Sequence, residues 1–462
     1  MLYRRLPEWD NYLCTVIAGN SAPMSGIFHR PKLALEMVRL LLRPSSLETR
    51  VRSGLFISGP RQTGKSTFLT QDVIPTLEAA GAVVIYVDLW KAAGRTPDAK
   101  LIGAVRKKLI ELDGQKPQSF VDKATLLLKR IGISSAEMEA SIEPSMHLVK
   151  AKLGGKLKLN FDAAKIGAKG GASLSDALLE VSKKTRRDII FIVDEVQEMM
   201  RDGSGLLLMQ ELKATRDEIN TQQGSHGYFI FVGNGSNRSL VHEMTAQRKA
   251  AFYGAKSERF PPLGKDYVRH VLGAVGRENT AVVLPGESAA YKGFRVLGMR
   301  PSLFEEALST LQRTAGAGRD PDAVFDGIVN TLYDQQGKVE LAKLSMLGEL
   351  SQAVFARICR GPEEGVTGLY AGDALIDYAK TLGLDEVSPR EVQSAFESLK
   401  ASNLVMRNGD RGPVMATDPF MRESWLRLHQ HGESDIDRSS MLGGDAGFSQ
   451  RAARRVLKGI EW

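Results

Sequence analysis

The sequence predicts an α/β fold, a parallel sheet with helices on both faces, and three observations carry that reading. Gly59-Pro60-Arg61-Gln62-Thr63-Gly64-Lys65-Ser66 fits G-x-x-x-x-G-K-[ST] and stands between an apolar strand, Leu55-Phe56-Ile57, and a helical stretch from Thr67 through Phe68 and Leu69. Ala82 to Val87 is a nearly unbroken aliphatic run ending at Asp88, as expected of a strand buried on both faces. Ile189 to Val193 is a second such run, and it ends in Asp194-Glu195.

The first motif has a mechanical meaning. Its glycines let backbone N–H groups wrap phosphate oxygens while the helix N-terminus adds positive potential. Lys65 then meets the β- and γ-phosphates and Ser66 ligates Mg²⁺, within a cradle made of Gly59, Pro60, Arg61, Gln62, Thr63, Gly64, Lys65, Ser66 and Thr67. The cofactors expected are therefore ATP and Mg²⁺. Asp194 and Glu195 match the acidic pair that faces such a loop from a strand's carboxyl end: Asp194 holds Mg²⁺, directly or through water, and Glu195 polarises the attacking water.

Composition sets the outer bounds. The 462 residues allow about three domains, and 43% hydrophobic with 25% charged residues is the balance of a globular chain. Sixty-two Lys and Arg against fifty-four Asp and Glu leave +8, a mild pull toward a polyanionic partner. Cys14 and Cys359 are the two cysteines, too few and too far apart for a disulfide framework or a metal-ligand spacing. No apolar signal core opens the chain and no run approaches a membrane span, so a cytoplasmic protein is expected, with no membrane partner.

Residues 1–27, with Pro7, Gly19, Pro23 and Gly26, read as an extended arm. A helix follows from Pro31, apolar from Leu33 to Leu42, and a helix there lies beside a bound base, which makes Phe28 and Arg30 candidate base contacts. A fourth strand, Tyr228 to Val232, runs into Gly233-Asn234-Gly235-Ser236-Asn237-Arg238; Asn234 is the chosen sensor of the lytic water, with Ser236 or Asn237 as substitutes. Glu258 to Leu263 reads as a short fifth strand leading to a helix over Lys265 to Val275. Arg300 sits just before another helix, through Leu308 and Leu311, and its guanidinium suits a γ-phosphate reached from a helical lid.

The segments GPRQTGKS, FIVDEVQ with Gln197, FVGNGSN, AAFYGAKSERFPPL, GMRPSLFEEAL and VMATDPFMRESWL, spread over residues 28 to 430, resemble an AAA+ ATPase. The likeness is to the archaeal-type branch between origin-recognition initiator ATPases and STAND signalling ATPases. It implies a five-stranded AAA+ P-loop core, a helical lid, a C-terminal winged-helix domain, assembly into a homo-oligomer through the core, and switching driven by ATP. Where relatives often have Tyr-Gly-Arg, this chain has Tyr253-Gly254-Ala255-Lys256, so the arginine finger is not carried over there. Arg248 and Arg259 are its substitutes.

The expected domains are the arm 1–27, the ATP-binding core 28–262, the helical lid 263–336, the winged helix 340–430 and a basic tail 431–462. A long connection between the second and third strands contains a lysine-rich hairpin near 147–161, turning at Gly154-Gly155. Its Lys150, Lys152, Lys156 and Lys158 either contact nucleic acid or blunt an exposed edge. Helices at Leu344 to Cys359, Ala371 to Thr381 and Pro389 to Ala401 precede two apolar runs, Leu404 to Met406 and Pro413 to Met415, joined by a turn, which is a winged-helix pattern. Arg390 and Lys400 on its third helix and Arg407 and Arg411 on the wing are candidate DNA contacts, although Glu391 and Glu397 share that helix and winged helices also dock proteins. After a polar linker at Gly432 to Asp435, the tail closes in a basic amphipathic stretch, Phe448 to Trp462, expected to dock on its own domain. The function expected is an ATP hydrolase that controls assembly on, or remodelling of, double-stranded DNA. Its rival is a STAND-like switch acting on a protein partner without DNA.

Overall fold

Alternate residues of each strand serve two different cores, which is why the strands read as unbroken apolar runs. The computed structural model describes residues 26–91, 96–112, 162, 165–167, 172–200, 203–221, 227–278, 283–314, 319–407 and 412–440, the last eleven without side chains. Most of the N-terminal arm, the lysine-rich segment with Lys150, Lys152, Lys156 and Lys158, Arg411, and the tail beyond 440 lie outside these residues. The chain divides into two compact units, Met1–Asn330 and Thr331–Trp462.

In the first unit, β1 (Leu55–Ser58), β2 (Val83–Asp88), β3 (Ile189–Asp194), β4 (Phe229–Gly235) and β5 (Lys256–Arg259) form one parallel sheet in the order β2-β3-β4-β1-β5. One face, with Leu55, Ile57, Val84, Ile190, Ile192, Ile230 and Val232, packs against α1 (Pro31–Leu42) and α2. Helix α2 opens at Lys65–Phe68, passes through a π-helical turn at Leu69–Val73 and continues as Ile74–Ala79. The other face, with Phe56, Val83, Ile85, Phe191, Phe229 and Phe231, is covered by α3 (Pro97–Leu112), α4 (Leu174–Thr185), α5 (Gly203–Thr221) and α6 (Arg238–Ala246).

Two strand assignments shift. The fourth strand, read from the sequence as ending at Val232, continues through Gly233, Asn234 and Gly235, because the first two stay in parallel register with both β3 and β1 and Gly235 with β1. The fifth runs over Lys256–Arg259 and stops before Pro261 and Pro262, which have no N–H to give a ladder. Three helices follow: α7 (Lys265–Glu278), α8 (Glu287–Val296) and α9 (Pro301–Thr314). Tyr267, Phe294 and Phe304 hold them together, with ring centroids 5.2 Å apart for Tyr267–Phe294 and for Phe294–Phe304.

Helix α10, Pro321–Ser345, runs without a break through residues 336–340, where the sequence placed a domain boundary. Gly337, inside this helix, answers to packing: a Cβ there would stand 3.0 Å from Ser424.

The second unit then presents α11 (Glu349–Arg360), α12 (Gly372–Leu382) and α13 (Pro389–Ala401), followed by the antiparallel pair β6 (Val405–Arg407) and β7 (Val414–Ala416). A bridge from Val366, between the first two helices, joins β7 at Val414. Ser388 and Glu391 close a capping box at the start of α13, with Pro389 at its first turn. Val354, Phe355, Ile358, Val392, Phe396, Leu399 and Trp425 form the core of this unit. It ends in α14, Pro419–Ser440, which passes through Gly432 to Asp435, the expected linker; one glycine costs a helix about 1 kcal/mol and does not end it.

Candidate nucleotide site

Parallel register brings the polar ends of the central strands into one line. Asp88 stands beside Asp194, Asp194 beside Asn234, and Asn234 beside Ile57, one residue before the end of the strand that feeds the phosphate loop. Strand side chains alternate, so Tyr86, Asp194 and Asn234 share the parity of Val84, Ile192 and Val232 and emerge on the face covered by α2, the helix that Lys65 opens.

The loop itself needs unusual backbone. Gly64 has φ +84° and precedes the helix directly, and Gln62 has φ +61°, rare outside glycine. Gln62 is held by the lid: the Ser302 hydroxyl, in the first turn of α9, donates to its Oε1 at 3.1 Å. Lys65 folds back over the loop, its ammonium donating to the carbonyls of Gly59 (2.8 Å) and Pro60 (2.5 Å). Burial drives its pKa down to about 8, with the charges of Glu195 and Asp194 opposing the drop. The loop thus holds a buried cation facing two acids. Ser66 and Thr67 are exposed at the loop's outer edge, as are Arg61 and Gln62.

Asp194 is almost fully buried, and both of its carboxylate oxygens are hydrogen-bonded. Its Oδ1 accepts from Asn234 Nδ2 at 2.6 Å and from the Glu195 N–H at 3.0 Å, and its Oδ2 accepts from the Tyr86 hydroxyl at 2.8 Å. Asn234 Oδ1 is a buried acceptor without a hydrogen-bond partner among the described residues. Glu195 sits at φ +55°, and its carboxylate accepts from Gln197 Nε2 and from the Ser236 hydroxyl, the latter at 2.7 Å. Ser236 is also reached by Arg61 Nε at 3.4 Å, and the Arg61 guanidinium lies 4.5 Å over the half-exposed Trp90 ring.

Of the substitute sensors, Ser236 holds Glu195, whereas Asn237 caps α6 by accepting from the Leu240 N–H. Arg300 is buried at the start of α9, two residues from Ser302. Phe28 packs edge-on against Tyr267 and His270 of α7, at 5.5 and 5.3 Å, and His270 Nε2 is buried without a partner there. Arg30, expected beside the base, is committed elsewhere: it donates to the Pro261 carbonyl at 2.8 Å and lies 5.2 Å over the Phe260 ring. The preceding His29 and the Arg30 N–H both bond Asp72, in the π turn of α2.

Tyr86 and Trp90 were absent from the sequence-based site. For Tyr86 a signal existed: it is the one polar side chain within Val83 to Val87, two residues from the strand end and on the parity of the acid it touches.

The expected DNA contacts of the second unit fare unevenly. Arg390 is exposed on α13, whereas Lys400 lies 3.8 Å from Glu397, and Arg407 reaches the Tyr370 hydroxyl and lies 5.0 Å over the Phe396 ring. From Gly372 to Glu397, six exposed acids (Asp373, Asp377, Asp385, Glu386, Glu391 and Glu397) stand against two bases, Lys380 and Arg390. Ile376 and Leu384 are exposed among them.

No family model matches the chain, and no curated protein does. Among solved structures it is similar to the Aeropyrum pernix ORC2 protein in its ADP form, at 13% identity over 93% of this chain and 98% of that one, with a TM-score of 0.48. It is also similar to the Aeropyrum pernix ORC1 protein in complex with DNA, at 15% identity over 87% and 93%, TM-score 0.36. The Thermotoga maritima RuvB Holliday junction branch migration motor matches at 12% identity over 87% and 95%, TM-score 0.31. The strand order β2-β3-β4-β1-β5, a phosphate loop after β1 and paired acids at the tip of β3 give this chain a P-loop type of parallel α/β fold.

Proposed function

We propose that this chain binds ATP with Mg²⁺ at the carboxyl edge of its sheet and hydrolyses it. One observation carries the reading: a buried lysine ammonium shares that edge with both acids of the β3 tip, and two carboxylates beside one ammonium suit a ligand that brings anionic oxygens and a cation together. Lys65 neutralises phosphate charge, Glu195 takes a proton from the attacking water, and Asn234, with its free Oδ1, orients that water. Mg²⁺, held by Ser66 and Asp194 together with phosphate oxygens, supplies further charge neutralisation. Arg300 contributes from the start of α9, whose Ser302 meets the loop. Lys65→Ala is expected to abolish ATP binding, whereas Glu195→Gln keeps it and loses turnover by about 10²- to 10³-fold. Equal single-turnover rates in wild type and Glu195→Gln would remove Glu195 from the mechanism.

The finer reading is that ATP controls assembly of copies of this chain on duplex DNA, through a winged helix made of α11, α12, α13 and the β6–β7 hairpin. The net charge of +8 supports it, and the exposed Arg248 and Arg259 are the candidates for reaching a neighbour's nucleotide. Filter binding across salt tests it: no retention of duplex DNA at about 50 mM salt would discard it. The acidic, partly apolar surface of α12 and α13 favours a second reading, a nucleotide switch whose second unit docks a protein. Sizing with and without ATP checks the assembly step.

A further inference from the structure

We propose that Tyr86 is a positioning residue for the Mg²⁺-binding acid, acting with Asn234 as a clamp that fixes the orientation of the Asp194 carboxylate. The inference rests on the nucleotide reading above and concerns the metal's share of it. A carboxylate has about four lone-pair directions, and at Asp194 three are taken: two on Oδ1, by Asn234 and the Glu195 N–H, and one on Oδ2, by the Tyr86 hydroxyl.

The donors come from three different places, the strands on either side of β3 and the turn after it. Together they lock rotation about the Cβ–carboxyl bond, since a turn of the plane would break bonds on both oxygens. One acceptor direction remains, on Oδ2, flanked by the tyrosine ring. The phenol is an O–H donor at neutral pH, and at 2.8 Å its proton is directed at Oδ2. Nothing else in the described residues gives Tyr86 a polar role: its ring lies against the aliphatic face under α1 and α2, where phenylalanine would pack equally well.

The clamp predicts a defect confined to the metal. ADP binding, followed by calorimetry while MgCl₂ is titrated, separates it from catalysis. In Tyr86→Phe the MgCl₂ concentration giving half-maximal ADP binding should rise about 10-fold, as is usual when a partner outside the first coordination sphere is lost. ADP affinity without Mg²⁺ should stay within about 2-fold of wild type, since Lys65 and the loop are untouched. In an Asp194→Asn background the same change should add nothing, because Tyr86 works only through that carboxylate. Superimposable Mg²⁺ titrations of wild type and Tyr86→Phe overturn the clamp while leaving the nucleotide site standing. An equal weakening with and without Mg²⁺ also overturns it, by showing a general packing role. Failure of wild type itself to bind ADP removes the nucleotide reading beneath it.

Discussion

The tip of β3 and the outward face of α13 are both strips of polar side chains flanking an apolar element, yet they are built in opposite ways. At the β3 tip Asp194 is buried and Glu195 half-buried, and their carboxylates accept from side chains brought in by neighbouring segments: Asn234, Tyr86, Gln197 and Ser236. On α13 the charges are exposed and settle with their neighbours along the helix, Gln393 with Glu397 at 2.7 Å and Glu397 with Lys400 at 3.8 Å. A buried polar group without a partner costs on the order of 1–3 kcal/mol, while an exposed pair gains about 0.5 kcal/mol. Residue identity is therefore tightly constrained in the first place and loosely in the second.

The comparison can be broken by substitution. Asn234→Ala takes the strongest donor from Asp194 and should lower turnover about 10²-fold, with a stability loss of about 1–2 kcal/mol read from a chemical melt. Turnover within about 2-fold of wild type would show that the buried network is not tuned to chemistry. The pH dependence of Lys65 comes next. Its folded pKa of about 8 lies below the free value of 10.5, so between these the unfolded chain holds a proton that the folded chain has released, and stability rises with pH across that window. ATP reverses the preference, since phosphate favours the charged lysine. Binding at about pH 8.5 should therefore take up protons, measured by calorimetry in two buffers of different ionisation enthalpy, and the Lys65 share of that uptake should vanish near pH 6.5, where the lysine is charged before and after binding. The smallest effect is expected on the other strip: Arg390→Ala with Lys400→Ala should change stability by less than about 0.5 kcal/mol and duplex affinity by less than about 3-fold. A loss of 30-fold or more, with a reduced salt slope, would make α13 a DNA reader despite its acids.

Legibility in the sequence followed the same division. The loop from Gly59 to Ser66 and the run ending in Asp194-Glu195 were readable because burial on both faces and phosphate chemistry each demand particular residues there. Asn234 was found, but the strand was ended before it at Val232, since glycine weakens a strand, whereas both flanking glycines sit inside β4. Tyr86 hid inside an apolar run, since its partner lies 108 residues away in sequence. Arg30 misled for a similar reason, its guanidinium being spent on a carbonyl 231 residues distant. The glycine at 337, inside α10, leaves room for Ser424, 87 residues on, a contact that no local pattern records.

The left-handed backbone at Glu195 has a wider consequence. A glutamate held there forgoes a conformation it would adopt more comfortably, and glycine would relax the peptide at once. Thermodynamic durability and reactivity thus make competing demands on a single residue, so a search for tougher variants of this chain will be drawn to position 195 and will disarm the molecule there.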